Sequence, residues 1–197
     1  MDIANLSIRC RMVKKKESIK LAKQDWIDLG RRVLAQKGVD SVRVEPLAKL
    51  LNVTKGSFYW HFKNREELLE AILQDWVNRE TGGIIERVES RASDASTKLL
   101  HLLEIAIQDG GQFENAIRSW ATNDLKVATT LDQIDRRRLD YTKTLFLEMG
   151  FTPFEAMVRA RMVYYSLIGE CTLGARANRA ERSEQIRIEH LILTRRD

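Results

Sequence analysis

Cysteine is scarce: Cys10 and Cys171 are the two in 197 residues, and neither lies in a CxxC or mixed Cys/His grouping. That spacing excludes a disulfide framework and argues against a zinc cluster, and it fits a reducing compartment. With two prolines and ten glycines, long stretches carry no breaker, while strand-like alternation of apolar and polar residues is almost absent. No window approaches the roughly 18 consecutive apolar residues of a spanning helix, and the leading MDIANLSIRCRMVKKK has charge without an apolar signal-peptide core. The expectation is a cytoplasmic protein with no membrane partner. No Ser/His/Asp grouping, Gly-rich phosphate loop or HExxH pattern occurs, so no catalytic residue, metal ligand or cofactor is assigned.

What is present is a chain with 44% apolar and 31% charged residues, a globular balance that excludes disorder as the main state. The fold expected is all-α. Charge is unevenly spread: residues 1–65 hold 15 Lys and Arg against 6 Asp and Glu, a balance of +9, whereas residues 66–197 hold 18 against 22, a balance of −4. A basic first third on a mildly acidic remainder suggests that one segment meets a polyanion. An anionic membrane would want one long basic amphipathic helix, but turn signals break the basic segment into short pieces, which favours nucleic acid.

Apolar residues at Ile19, Ala22, Trp26, Gly30, Val33 and Leu34 mark a first amphipathic helix, stopped by Gly38. Val44, Leu47, Ala48 and Leu51 give a very short second face with Pro46 in its first turn. Asn52 suits a tight left-handed turn, Thr54 is placed to cap the next helix, and Phe58 and Phe62 at i, i+4 give that helix its buried edge. Asn64 with Glu67 forms a capping-box pattern opening a fourth helix, whose stripe Leu68, Leu69, Ile72 and Trp76 fades before Gly82 and Gly83. Further stripes follow, with clear starts at Thr152-Pro153-Phe154-Glu155 and at Asn178 with Glu181. About nine helices are expected. They divide into a basic tail over 1–17, a three-helix DNA-binding domain over 18–64 and a larger helical domain over 65–197.

The segment VEPLAKLLNVTKGSFYWHF, residues 44–62, has the anatomy of a helix-turn-helix. Two short helices crossing steeply need a small residue at the contact, Ala48, and a residue tolerant of left-handed geometry in the turn, Asn52. With Phe58 and Phe62 inward, the residues left outside are Lys55, Gly56, Ser57, Tyr59, Trp60 and Lys63. Lys55 and Ser57 sit where a major-groove helix reaches base edges, Gly56 lets backbone approach, and Tyr59, His61 and Lys63 can donate to phosphates. The basic tail, with Arg9, Arg11, Lys14, Lys15, Lys16 and Lys20, is either an arm reaching an adjacent minor groove or a solvated leader.

Residues 22–76, and above all TKGSFYWHFKNREELL over 54–69, resemble the DNA-binding domain of TetR-family transcriptional regulators. The resemblance implies a homodimer on a palindromic double-stranded operator and a C-terminal domain that senses a small-molecule effector. It assigns DNA contacts to Lys55, Gly56, Ser57, Tyr59 and His61, with Arg65 as a further backbone contact. Members often cap the second helix with Thr or Ser that also meets phosphate; here that position is Arg43, which leaves its role open.

By the same resemblance, some of Leu102, Ile105, Phe113, Ile117, Trp120, Tyr141, Leu145, Met162 and Tyr165 line an effector cavity, although any one of them taken singly reads first as core. His101 and Cys171 read as packed residues. The last two helices are the implied dimer bundle, with Phe154, Val158, Tyr165, Ile168, Ile186 and Leu193 as an apolar seam and Gly169 and Ala175 permitting close approach. The function expected is a sequence-specific regulator, a repressor released by its effector. A non-specific architectural DNA protein and an enzyme carrying a DNA-tethering domain are the alternatives.

Overall fold

The computed structural model describes residues 21–91, 94–106, 108, 111–173 and 178–196; the basic tail, Cys10 and Ala175 lie outside the described residues. Among the described residues the chain is helical throughout, with no strand. The order is α1 (Lys23–Lys37), a 3-10 turn (Val39–Ser41), α2 (Val44–Leu50), α3 (Lys55–Tyr59), α4 (Arg65–Val77), a π turn (Asn78–Gly82), α5 (Gly83–Arg91) and α6 (Ala95–Ala106). Then come α7 (Gln112–Ala121), α8 (Leu125–Glu148), α9 (Pro153–Leu173) and α10 (Arg179–Thr194). The π turn joins α4 to α5 without interruption, so the described chain forms nine rods. Gly82 and Gly83, before which the apolar stripe fades in the sequence, lie within that continuous run.

Local chemistry accounts for most of the boundaries. Gly38 ends α1 at φ 77° and Asn52 makes the α2–α3 turn at φ 55°, backbone settings that glycine and asparagine tolerate best. The Asn64 side chain accepts from the Glu67 N–H at 2.9 Å, and the Glu67 carboxylate accepts from the Lys63 N–H at 2.7 Å rather than from Asn64 itself. Thr152 caps α9 reciprocally with Glu155, and Asn178 does so for α10 with Glu181. Thr54, expected to cap α3, makes no side-chain cap bond, because the Ser57 N–H that its hydroxyl would serve bonds the Thr54 carbonyl at 3.0 Å.

Two apolar cores result. The first gathers α1 to α4 and runs on into Phe113, Ile117 and Trp120 of α7 and Val127 and Ile134 of α8. The second joins α6, the end of α8, α9 and α10 through Leu99, Leu103, Phe146, Val163 and Ile186. Close approach of α1 and α4 relies on Gly30, where an added Cβ would stand 2.5 Å from Ile72 Cδ1. Arg182, nearly buried, donates to Glu170 of α9 and Glu189 of α10 and ties the last two helices together.

At the centre of the first core, the Phe58 ring meets Trp26 edge-on at 5.2 Å and stacks on Phe62 at 5.3 Å, with Phe58 wholly buried. Phe58→Ala is expected to destabilise the protein by about 3–5 kcal/mol, measured by urea unfolding followed at far-ultraviolet wavelengths. A loss below ~1 kcal/mol would mean that α3 does not depend on this contact.

Candidate nucleic-acid interface and the cavity behind it

A helix of five residues cannot stand alone, so α3 is held by its one buried face. Phe58 and Phe62 point inward, and the geometry of a helix then turns Lys55, Gly56, Tyr59 and Trp60 outward. Trp60 is 88% exposed and Tyr59 55% exposed, values that a large ring keeps in a solvated protein only at some cost unless it has a partner. Lys63 is exposed as well, whereas Ser57 and His61 are half-buried at the margins of the face. Seven of the residues singled out from sequence therefore share one surface.

Lys55 Nζ donates to Glu45 Oε1 at 2.6 Å, and that hydrogen bond is the main reason the lysine pKa is raised and the Glu45 pKa lowered. The pair is exposed, so a phosphate or a base edge can take the place of Glu45 at little expense. Arg43 occupies the N-cap position of α2 and places no side-chain bond on the helix; its Nε donates to the Asp40 carbonyl at 2.8 Å.

Arg65 behaves differently from the sequence expectation. Its Nε donates to the Val42 carbonyl at 2.6 Å and Nη2 to the Val39 carbonyl at 2.7 Å, with the side chain half-buried. The guanidinium thus fastens the start of α4 to the turn before α2, which sets the attitude of the helix pair. The signal that could have revealed this is a pair of carbonyls, those of Val39 and Val42, at a helix-to-helix corner, which the spacing of residues along the chain does not display.

Behind this domain lies a cavity of about 120 Å3 between α4, α5, α6, α7, α8 and α9. Of the nine residues expected there, Leu102, Phe113 and Tyr141 line it. Ile117 and Trp120 belong to the first core and Leu145 to the second, while buried Ile105 lines a shallower cleft outside. Met162 and Tyr165 stand on the outer face of α9, both more than half exposed, because Val163 and Tyr164 take the inward positions. Trp76, Thr81, Ile84, Arg138, Thr142, Leu167, Ile168 and Cys171 complete much of the wall. Ile168 had been expected in the dimer seam, and Ile186 and Leu193 of that expectation are packed in the second core against α6 and α9. Phe154, Val158 and Tyr165 are exposed on α9, and Gly169 has open space where a Cβ would stand.

The polar part of the wall is a network. Arg118 donates to Glu114 at 2.8 Å, to Asp135 at 2.9 Å and to the Tyr164 hydroxyl at 2.9 Å, and Tyr164 donates to Asp135 at 2.5 Å. Burial, then the bond to Asp135, pushes the Tyr164 hydroxyl above its ordinary range; burial opposes the Arg118 charge, but Asp135 and Glu114 outweigh it. Cys171, at the edge of the cavity, is pushed up chiefly by burial and stays a neutral thiol. Arg31 of α1 donates to Asp75 at 2.7 Å and to Glu80 at 3.0 Å, and its guanidinium lies 4.6 Å from the Phe113 ring.

A short helix with one buried and one exposed face, carried on a helical body that holds a cavity, defines a helix-turn-helix protein of the all-α type. Residues 27–72 match the family model described as bacterial regulatory proteins, tetR family. The transcriptional regulator AcrR of Shigella flexneri is 36% identical over 59 residues, 30% of this chain and 27% of that protein, so the match spans about a quarter of the relative's length. Over the whole fold, a transcriptional regulator from Rhodococcus sp. Rha1 superposes with a TM-score of 0.68 at 18% identity, covering 88% of this chain and 94% of that one. The TetR transcriptional regulator from Legionella pneumophila does so at 0.64 and 13%, covering 87% and 98%. The similarity to the tetR-family model is thus confined to the N-terminal helices, and that to the solved structures is one of fold.

Arg65→Ala is expected to lower stability by about 2 kcal/mol in the absence of DNA, since two carbonyls lose charged donors. Thermal and urea unfolding of the free protein check it; unchanged stability together with weakened DNA binding would return Arg65 to the phosphate-contact role.

Proposed function

We propose that this chain is a sequence-specific DNA-binding transcriptional regulator, a repressor that works as a homodimer on a palindromic operator and is released when a small molecule fills the C-terminal cavity. The observation that carries the reading is α3 itself, a helix with Phe58 anchored inside and Lys55, Gly56, Tyr59 and Trp60 presented outward. In this reading Lys55 and Ser57 read base edges, Tyr59, His61 and Lys63 hold phosphates, Thr54 and Trp60 line the approach, and Arg43 contributes charge at the margin. Phosphate contacts fix register, and base contacts carry sequence information.

One such helix reaches only a few base pairs, so two copies are needed in successive major grooves, about 34–36 Å apart. The surface that suits pairing is apolar: Phe154, Val158, Met162 and Tyr165 fall along one face of α9, and Ile188, Leu191 and Ile192 along α10, all exposed in the single chain. None of the described helices is long and apolar enough to cross a membrane. The site of action proposed is the cytoplasm, beside the DNA, and the related proteins matched through the N-terminal domain are regulators rather than enzymes.

Release follows from shared walls. Trp76 closes the cavity from α4, the π turn supplies Glu80 and Thr81, and Arg31 links the π turn to α1. A molecule that displaces these walls tilts α4 and changes the separation of the two reading helices, so effector and DNA weaken each other by the same factor.

The test is selection of bound duplexes from a random pool at fixed salt, with sedimentation of the complex. A two-fold symmetric site bound by a dimer is expected, and equal affinity for random duplexes would instead favour an architectural role. Lys55→Ala should lower the ratio of operator to random affinity roughly tenfold, whereas Tyr59→Phe should weaken both alike. Arg31→Met, which cuts both ion pairs and removes the cation over Phe113, should shrink the effector's influence on operator affinity towards unity while leaving effector affinity within about threefold. Titration of operator with and without effector measures both.

A further inference from the structure

The charge and size of the effector can be read from how the cavity wall is already bonded, an inference that rests on the cavity being the effector site. Three charged side chains reach the wall, Glu80, Glu114 and Arg138, and all are paired within the protein. Every nitrogen of the Arg138 guanidinium has an acceptor: Nε the Thr81 hydroxyl at 3.1 Å, Nη1 the Glu114 carboxylate at 3.1 Å and Nη2 the Glu80 carbonyl at 3.4 Å. Glu114 also takes a bond from Arg118, and Glu80 takes one from Arg31. An anion entering here would share Arg138 with Glu114, and a cation would share a carboxylate with its arginine; either adds an unbalanced charge to a part-buried network whose own charges are already paired.

The tyrosines are turned the same way. The Tyr141 hydroxyl donates to Glu89 and that of Tyr164 to Asp135, so their polar ends already have acceptors. One polar atom on the wall residues differs: Trp76 is 1% exposed, and its indole Nε1–H, a donor with no acceptor capacity, has no partner among the described residues. A buried donor left unpaired is costly, and an acceptor brought by a ligand removes that cost once a small shift of the wall opens the N–H, which is closed to solvent in this structure. The space itself, about 120 Å3, is somewhat smaller than the ~150 Å3 cavity that accepts one benzene ring in an engineered protein core.

We infer that the effector is a compact, uncharged, mainly apolar molecule of about one ring, carrying a single hydrogen-bond acceptor that meets the indole N–H of Trp76. The wall relaxes by small shifts around it while the ion pairs stay closed. Molecules with a carboxylate, phosphate or ammonium group are disfavoured because they bring an unbalanced charge into a wall whose charges are already paired.

Four one-ring probes of similar shape separate the alternatives by calorimetric titration of the full chain: acetophenone, ethylbenzene, benzoate and benzylammonium. Acetophenone should bind most tightly, ethylbenzene about tenfold more weakly for want of an acceptor, and the two ions more weakly again. Trp76→Phe keeps the ring and removes the donor, so it should bring acetophenone and ethylbenzene together; the indole proton resonance of Trp76 should shift with acetophenone alone. Ile84→Phe, which fills the cavity from a half-buried position, should abolish binding of all four. Benzoate or benzylammonium binding as tightly as acetophenone overturns the charge assignment, and equal affinity for acetophenone and ethylbenzene in the unaltered protein overturns the acceptor. Absence of binding by every probe overturns the assignment as a whole. Failure of the regulatory reading looks different: acetophenone then binds, loses its site in Ile84→Phe, and leaves operator affinity unchanged.

Discussion

The contact on which the exposed face of α3 depends is the stack of Phe58 on Phe62 with Trp26 at its edge. A five-residue helix has almost no stability of its own, so burial of these rings decides both that α3 forms and which way it faces. Once positions 58 and 62 point inward, positions 55, 56, 59 and 60 have nowhere to go but outward. Lys23 of α1 adds a cation 5.0 Å from the Phe62 ring, and Arg65 fixes the corner by holding the carbonyls of residues 39 and 42. The exposed face of α3 is thus positioned by groups on neighbouring elements.

The same α1 faces the rest of the molecule. Its other side packs on α7, and Arg31 joins Asp75, Glu80 and the Phe113 ring, which also lines the cavity. The first core therefore runs from the reading helices to the cavity without a gap, and no flexible linker stands between them in the described residues. In a close-packed interior, a wall that moves must carry its neighbours. Continuity of this kind gives a physical route by which filling a distant space alters a surface helix.

Much of the fold was legible because its determinants are local. Gly38, Asn52, Asn64, the Thr152–Glu155 pair and the Asn178–Glu181 pair each act within four residues, and the helices start and stop where those residues say. The exposed face of α3 was legible for the same reason, since the i, i+4 pair of phenylalanines defines its opposite. What sequence missed depends on contacts between distant segments. Arg65 turns inward to carbonyls more than twenty residues away. Met162 and Tyr165 belong to an apolar stripe like any other, but only the packing of α9 on α7 and α8 shows that Val163 and Tyr164 occupy the inner side. Ile186 and Leu193 were sorted to the wrong face of α10 by the same ambiguity, since this helix carries apolar residues on two sides.

The π turn at residues 78–82 has a consequence for the phase of the long rod that contains it. Every residue of an α-helix advances about 100° around the axis, and one wide turn accommodates roughly one surplus residue. Apolar side chains before it, ending at Trp76, face α1; continued at 3.6 residues per turn they would be followed by Gly83 and Arg87, yet the apolar residues actually fall at Ile84, Ile85 and Val88. The stripe has slipped by one place, as the thread of a screw does when a washer is added. That slip lets a single uninterrupted helix address α1 with its first half and α6 with its second, so torque applied to α5 is delivered to α4 rather than absorbed in a joint.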